Sequence, residues 1–374
     1  MDKRKFIKNL SSLSLGLAIT PTITQKVLGN TSSTPTKNWM WVRPNESFTL
    51  ETWKSKLSTA KDAGIDAILV EVYNGTNAHF DTDRFPVKEK LLEKLAPICK
   101  ETGLELHAWM WTMICRNEKI MKEHPDWYAV NGLGDSAVDK PAYVGYYRFM
   151  CPNHPEVRDF VQENVKSLAA FDFLDGVHLD YVRLPDVILA ESLQPKYNIV
   201  QDKEYPDYDY CYSDHCREAF KAETGIDPLK DLEDPSANEE WRQFRYNSVS
   251  SLVNEKLVPE AKKKNKMITA AVFPNWESVR QEWHTWKLDA FLPMLYHSFY
   301  NEDLKWLKTS TKARKKALLY DQPIYSGLFV PALKKEEFAE AYKMSIKGGA
   351  NGISLFDLGS IKDEYWPVLK GILS

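Results

Sequence analysis

Eight short apolar runs, separated by stretches of helical periodicity, constrain the fold more than any other feature of this chain. The strand candidates are Trp39–Val42, Ala67–Tyr73, Glu105–Trp111, Gly176–Val182, Met267–Phe273, Ala290–Tyr296, a stretch within Ala317–Phe329, and Gly352–Phe356. Helix patterns lie between them. Thr49–Ala63 opens on a Thr cap and closes at Gly64, and Val87–Thr102 closes at Gly103. Pro155–Ala170 carries Pro in its first turn, and Lys334–Lys347 stops at Gly348-Gly349. The phrases DAGIDAILVEV, LDGVHLDYV and KGGANGISLF repeat one layout of helix end, small residue and buried strand. Strands alternating with helices eight times predict an α/β fold of the (β/α)8, or TIM-barrel, type. An open doubly wound sheet is the competing topology, but no Gly-rich phosphate loop follows the first strand. The fourth βα connection is elongated, a loop and helix insertion at about 184–240, and such a connection reads as an elaboration of the active site.

The first 29 residues read as an export signal. Asp2-Lys3-Arg4-Lys5-Phe6-Ile7-Lys8 is a basic leader, and Leu10–Ile19 is an apolar run of about ten residues. That is too short for the roughly 20 residues of a membrane helix. The leader resembles a twin-arginine signal with Lys in place of the first Arg, so both export routes stay open. Cleavage near residue 29 leaves residues 30–374 as one catalytic domain, with no integral membrane segment and a periplasmic or extracellular address. It also removes five basic residues and one acid from a chain of net charge −3, leaving about −7. No basic footprint for nucleic acid exists, and an anionic sugar would need local arginines. Oligomeric state is not encoded legibly.

The five cysteines, Cys99, Cys115, Cys151, Cys211 and Cys216, show no repeated spacing. Cys211 and Cys216 lack the second pair of a four-coordinate zinc motif, so they read as buried thiols or a local disulfide. In the Tyr- and Asp-rich stretch 205–214, Asp207, Asp209 and Asp214 lack EF-hand spacing, and a lid beside the cleft is the preferred reading. No metal or cofactor is expected.

In a barrel of this type the chemistry sits where the C-terminal strand ends meet the βα loops. Those ends carry Arg43, Glu71, Tyr73, Trp109, Trp111, His178, Asp180, Arg183, Trp276, Glu277, Tyr296, His297 and Asp357. His178 and Asp180 stand two apart on the fourth strand and project to one side. An unpaired ionisable pair buried there costs several kcal/mol, so at the barrel mouth it reads as available to substrate; a structural His–Asp pair is the alternative. Twelve tryptophans exceed what a core of this size needs. At least three of Trp41, Trp109, Trp111 and Trp276, all near strand ends, are expected to line one cleft with Asp180, offering flat faces to sugar rings, with core packing as the alternative.

The phrase DGVHLDYVRLPD resembles the strand-4 signature of the family 10 glycosyl-hydrolase-like proteins. CPNHPEVRDFV, FKAETGIDPL, WRQFRYNSVSSLV, DAFLPMLYH and GGANGISLFD agree with that family in order, over residues 37–370. The resemblance implies an exported barrel that cleaves a poly- or oligosaccharide. A glycosidase needs one ionised carboxylate and one carboxylic acid across the scissile bond. Asp180 is the expected ionised member, because its place is similar to that of the nucleophile in several retaining barrel families. His178 and Arg183 are placed to stabilise its charge or bind hydroxyls. Glu277, beside Trp276, is the first candidate for the acid, followed by Glu71 and Asp357. Their plain structural alternatives are a helix cap, a pair with Arg43 and a strand end. The competing functions are a lyase or dehydratase on a uronate-containing sugar, held by Arg43, Arg148 or Arg183, and a non-catalytic sugar-binding barrel.

Overall fold

Successive side chains of a strand point to opposite faces, so an all-apolar strand must be covered on both. A computed structural model describes residues 36–374 and shows how this chain does so; the segment 1–29 read as an export signal lies outside the described residues. Eight strands are present: β1 (Trp39–Val42), β2 (Ala67–Tyr73), β3 (Glu105–Trp111), β4 (Gly176–Asp180), β5 (Met267–Val272), β6 (Ala290–Pro293), β7 (Ser326–Phe329) and β8 (Ile353–Phe356). All pair in parallel, in the order β6-β5-β4-β3-β2-β1-β8-β7. Parallel bridges from Phe291 to Ile324 and from Met294 to Gly327 bring β6 and β7 together, so the sheet is a nearly closed barrel.

Helices α1 (Leu50–Asp62), α2 (Leu91–Thr102), α3 (Glu118–Glu123), α4 (Pro155–Ala169) and α5 (Asp214–Thr224) occupy the first half of the crossovers. Helices α6 (Glu239–Ser251), α7 (Val258–Lys263), α8 (Leu304–Ala317), α9 (Phe338–Lys347) and α10 (Trp366–Leu373) complete them. Helix α6 continues through a π-helical turn, Leu252–Leu257, into α7, where Pro259 brings no N–H to the ladder. The expected caps are largely in place: the Thr49 side chain accepts from the Thr52 N–H at the start of α1, and Gly103 closes α2 at φ 72°. The expected helix from Val87 begins only at Leu91. The fourth βα connection is long, as expected, and the third, residues 112–154, is extended too.

The interior of the barrel answers the surplus of tryptophan. Trp39, Trp41, Leu69, Trp109, Leu292 and Tyr325 are among the residues that pack there as one buried cluster. The alternate positions, such as Met40, Val70, Leu106 and Val177, face the helices. Trp41 and Trp109 are therefore barrel filling, at 1% and 2% exposure, not open sugar platforms.

His107 shares this interior, edge-on to Trp39 with ring centroids 4.8 Å apart. Its ring occupies the space a side chain on β4 would need: a Cβ on Gly176 would stand 2.4 Å from His107 Nδ1 and 2.6 Å from the Met267 carbonyl. We expect Gly176→Ala to destabilise the protein by about 1–3 kcal/mol, the range of core overpacking. Denaturant unfolding checks this; a change below about 0.5 kcal/mol would show that the interior yields freely.

Candidate active site

Strand β4 ends at Asp180, two residues before the periodicity predicted, because Tyr181 turns the chain at φ 49°. A bulky residue in the left-handed region is strained and needs its surroundings to hold it. The Tyr181 ring is packed against Trp111, Tyr147 and Phe149. The turn directs the Tyr181 N–H back onto Asp180 Oδ1 at 2.7 Å, while the Trp109 indole N–H donates to Oδ2 at 3.1 Å. Both bonds favour the carboxylate, as does the Arg183 charge. Burial outweighs them and pushes the Asp180 carboxyl up to about 6.

Glu71 projects into the barrel mouth from β2, on the other side of β3. It is only 7% exposed. Burial and the Asp180 charge push its carboxyl up to about 7, against smaller opposing effects of Arg43 and Arg116. The Trp111 indole N–H is turned toward Glu71 without closing a well-formed hydrogen bond. The two inward tryptophans of β3 thus each address a carboxyl on a flanking strand. A cleft of about 310 Å³ opens over Glu71, lined by Arg43, Asn74, His79, Lys88 and Asp357 among others. A larger groove, of about 690 Å³, lies on the outer helical layer between α1 and the C-terminal segment, away from the strand ends.

Asp357 closes the ring of acids. It is buried after β8, accepts from Ser360 N and Oγ at 3.0 and 2.8 Å, and pairs with Arg43 Nε. Arg43 is half exposed and lies over the Phe356 ring; its ion pair is with Asp357 and not with Glu71, the pairing that stood as the structural alternative for that acid. Tyr296, packed on Phe329 and Phe356, feels both Asp180 and Asp357, whose charges join burial in raising its hydroxyl.

Other expected residues stand elsewhere. His178 does face the same side as Asp180, but one layer deeper: it is fully buried, shares a hydrogen bond with Thr269 Oγ1 at 2.8 Å, and burial drives its pKa well down. Such a histidine is a neutral interior residue out of reach of a substrate at the mouth. Tyr73 is turned to the outer layer by a β-bulge between Glu71 and Tyr73 in the pairing with β3. It stacks on Phe85 and donates toward Cys115 Sγ. Arg183 is buried and committed to Asp186 at 3.0 Å and the Leu184 carbonyl, and Arg148 donates to the Ala137 carbonyl. Glu277 is exposed on a 3-10 turn, Trp276–Val279, with Arg314 as its charged neighbour. Trp276 packs on Tyr246 and His284 and gives Glu277 no enclosing wall. His297 sits half-buried on the loop after β6, near Glu337 and Asp303. In the Tyr/Asp stretch, Asp209 is buried against Arg245 and Arg280 while Asp207 and Asp214 face outward, so the three share no cation point. Arg116 escaped sequence reasoning. It lies over the Trp111 ring and acts on Glu71, and only its place just after strand 3 pointed to it.

A parallel eight-stranded barrel whose mouth gathers raised carboxyls from β2 and β4, with the buried Asp357 after β8 close by, has TIM-barrel architecture with a candidate site at the usual end. The model of the family described as Glycosyl hydrolase-like 10 matches residues 72–317, and the chain belongs to that family. Among solved structures it is similar to the PgaB (BpsB) glycoside hydrolase domain from Bordetella bronchiseptica, with TM-score 0.70 and 13% identity over 91% of this chain and 99% of that one. The β-amylase catalytic domain from Paenibacillus polymyxa aligns with TM-score 0.60 and 12% identity over 90% and 97%. A β-galactosidase from Halorubrum lacusprofundi aligns with TM-score 0.64 and 12% identity over 89% of this chain and 57% of that one. At these identities the likeness is one of fold. No curated protein matches in sequence.

The perturbed Glu71 makes stability pH-dependent. Between its ordinary value of 4.5 and about 7, the unfolded chain releases the proton while the folded chain keeps it, so stability falls as pH rises through that window. A shift of this size corresponds to about 3 kcal/mol. Glu71→Gln should therefore unfold at a higher temperature than the parent at pH 8 and coincide with it near pH 4.5. Equal midpoints at pH 8 would show that Glu71 ionises without cost.

Proposed function

We propose that the protein is an exported glycoside hydrolase that cleaves a poly- or oligosaccharide with Asp180 as the ionised carboxylate and Glu71 as the acid. One observation carries this reading: the Glu71 carboxyl is pushed up to about 7 and that of its neighbour Asp180 to about 6, at the strand ends where a cleft opens over Glu71. Near pH 6.5 the favoured state has the proton on Glu71 and the charge on Asp180, and each condition supports the other. The Asp180 charge holds the proton on Glu71, and two N–H donors hold the charge on Asp180. Glu71 then gives its proton to the departing glycosidic oxygen as Asp180 acts at the anomeric carbon, as nucleophile or through a water. Arg43, Asp357 and Tyr296 form the polar rim that orients sugar hydroxyls, and the Trp111 face borders it. Glu277, first in line from sequence, gives way to Glu71 in this proposal, and His178 becomes a support beneath Asp180. The lyase reading retains only Arg43 as a half-exposed arginine beside the carboxyls. Export is supported by the basic leader and short apolar run of residues 1–29, and the N-terminal sequence of the secreted protein tests it.

The pH profile is the first test. kcat/KM on a cleaved glycan should be bell-shaped with limbs near 6 and 7, and a profile flat from pH 5 to 8 would sink the pairing. Asp180→Asn should lower kcat about 10³-fold or more. Glu71→Gln should lower it about 10²–10⁴-fold, the usual worth of a general acid, with activity recovered on aryl glycosides whose leaving group needs no proton. Glu277→Gln should stay within about twofold of the parent. An unsaturated product formed without water incorporation would indicate a lyase, and unchanged turnover in Asp180→Asn would indicate a binding barrel.

A further inference from the structure

Cys211 and Cys216 lack a second cysteine pair in the sequence, but the fold brings them a third thiol. Cys151, at the end of the third βα loop, joins Cys211 of the fourth loop and Cys216 in the first turn of α5. All three are buried, and their sulfurs lie within 4.8 Å of one another, Cys151 and Cys216 at 3.4 Å. Tetrahedral zinc with Zn–S bonds of about 2.3 Å needs sulfurs about 3.8 Å apart, a distance between the 3.4 Å of the Cys151–Cys216 pair and the 4.8 Å bound on the group. Thiols are weak donors and weak acceptors, so crowding three of them gains little by itself.

We propose that Cys151, Cys211 and Cys216 bind one thiophilic divalent ion of the zinc class, which ties the third βα loop to the fourth. Three thiolates and a dication leave one negative charge, and the surroundings are arranged for it. The Asn153 side-chain amide donates to Cys216 Sγ at 3.2 Å, the kind of outer contact that orients a metal ligand. The Arg158 guanidinium, on α4, is close enough to feel Cys151. Cys216 also stands at the positive end of α5, whose 11 residues begin after the Ser213 cap. Ser213 Oγ lies 3.2 Å from both Cys151 and Cys211 Sγ and marks the side on which it or a water takes the fourth position. A disulfide is the rival use of these sulfurs, but it engages two and leaves the third. A harder group of donors, Asp126, His154 and His215, stands on the same two loops; the His154 Nε2–Asp126 Oδ2 distance is 3.1 Å. That group is the alternative seat for an ion. The proposal is independent of the glycosidase reading.

The experiment is metal analysis of the full chain purified under reducing conditions, followed by cobalt(II) replacement. We expect about one zinc per chain and an intense sulfur-to-cobalt charge-transfer band. Both should be lost in Cys211→Ser and Cys216→Ser and kept in His154→Ala. Stripping the zinc should lower the thermal midpoint by about 5 °C or more. Failure of the wild-type chain to take up zinc or to give the band overturns the proposal. So does a mass two hydrogens lower with two of the three cysteines joined, or zinc that survives Cys211→Ser but not His154→Ala. If the serine variants do not fold, the cobalt spectrum of the wild-type chain decides, since only thiolate ligands produce that band.

Discussion

An eight-stranded parallel barrel encloses a space that its own side chains must fill, and everything at the mouth of this one rests on how that filling is done. Three indoles and two imidazoles take up much of the interior, accommodated by Gly176 opposite His107 and by the small Thr269 opposite His178. Large flat groups packed this deep form a stiff floor. On that floor Trp109 does two jobs at once: its ring fills the barrel and its N–H reaches Asp180. A carboxylate held by a residue of the core inherits the rigidity of the core, which is what a site placing charge against a reacting bond requires.

The two carboxyls on β2 and β4 then set each other's state. Neither has an ion pair of its own in the cleft, because the nearby arginines are committed elsewhere: Arg43 to Asp357 and Arg183 to Asp186. Burial without direct neutralisation raises both acids, and the N–H donors on Asp180 decide which ionises first. The division of labour follows from backbone geometry as much as from charge, since the Tyr181 N–H reaches Asp180 only through the left-handed turn at that residue.

The fold was largely legible in the sequence, because buried parallel strands read as short apolar runs bounded by glycine and helix caps. β1, β2 and β3 lie where the periodicity put them, and the likeness carried by DGVHLDYVRLPD agrees with the family match. The site was legible only in part. Period-two alternation tells which side of a strand a residue faces and not how deep it lies. It therefore placed His178 and Asp180 on one side correctly, and left their difference in depth to the three-dimensional packing. A β-bulge breaks the alternation, so Tyr73 was assigned to the mouth and stands outside the barrel. Glu277 was favoured for its neighbour Trp276, but sequence adjacency on a 3-10 turn does not bring the indole over the carboxyl. The gathering of Cys151 with Cys211 and Cys216 depends on two loops meeting, which no local spacing encodes.

The buried cluster of Asp209 with Arg245, Arg280 and Tyr212 places the fourth loop in a different light. Its acid comes from the loop, one arginine from α6 and the other from the segment after β5, and Glu204 adds a second carboxylate to Arg280. A loop fastened by interior charges to the helix of its own crossover and to the start of the next is not an interchangeable appendage. Shortening it or grafting another in its place strands two guanidinium groups without counter-charge. The fourth loop is better understood as a wall of the barrel that happens to lack regular structure.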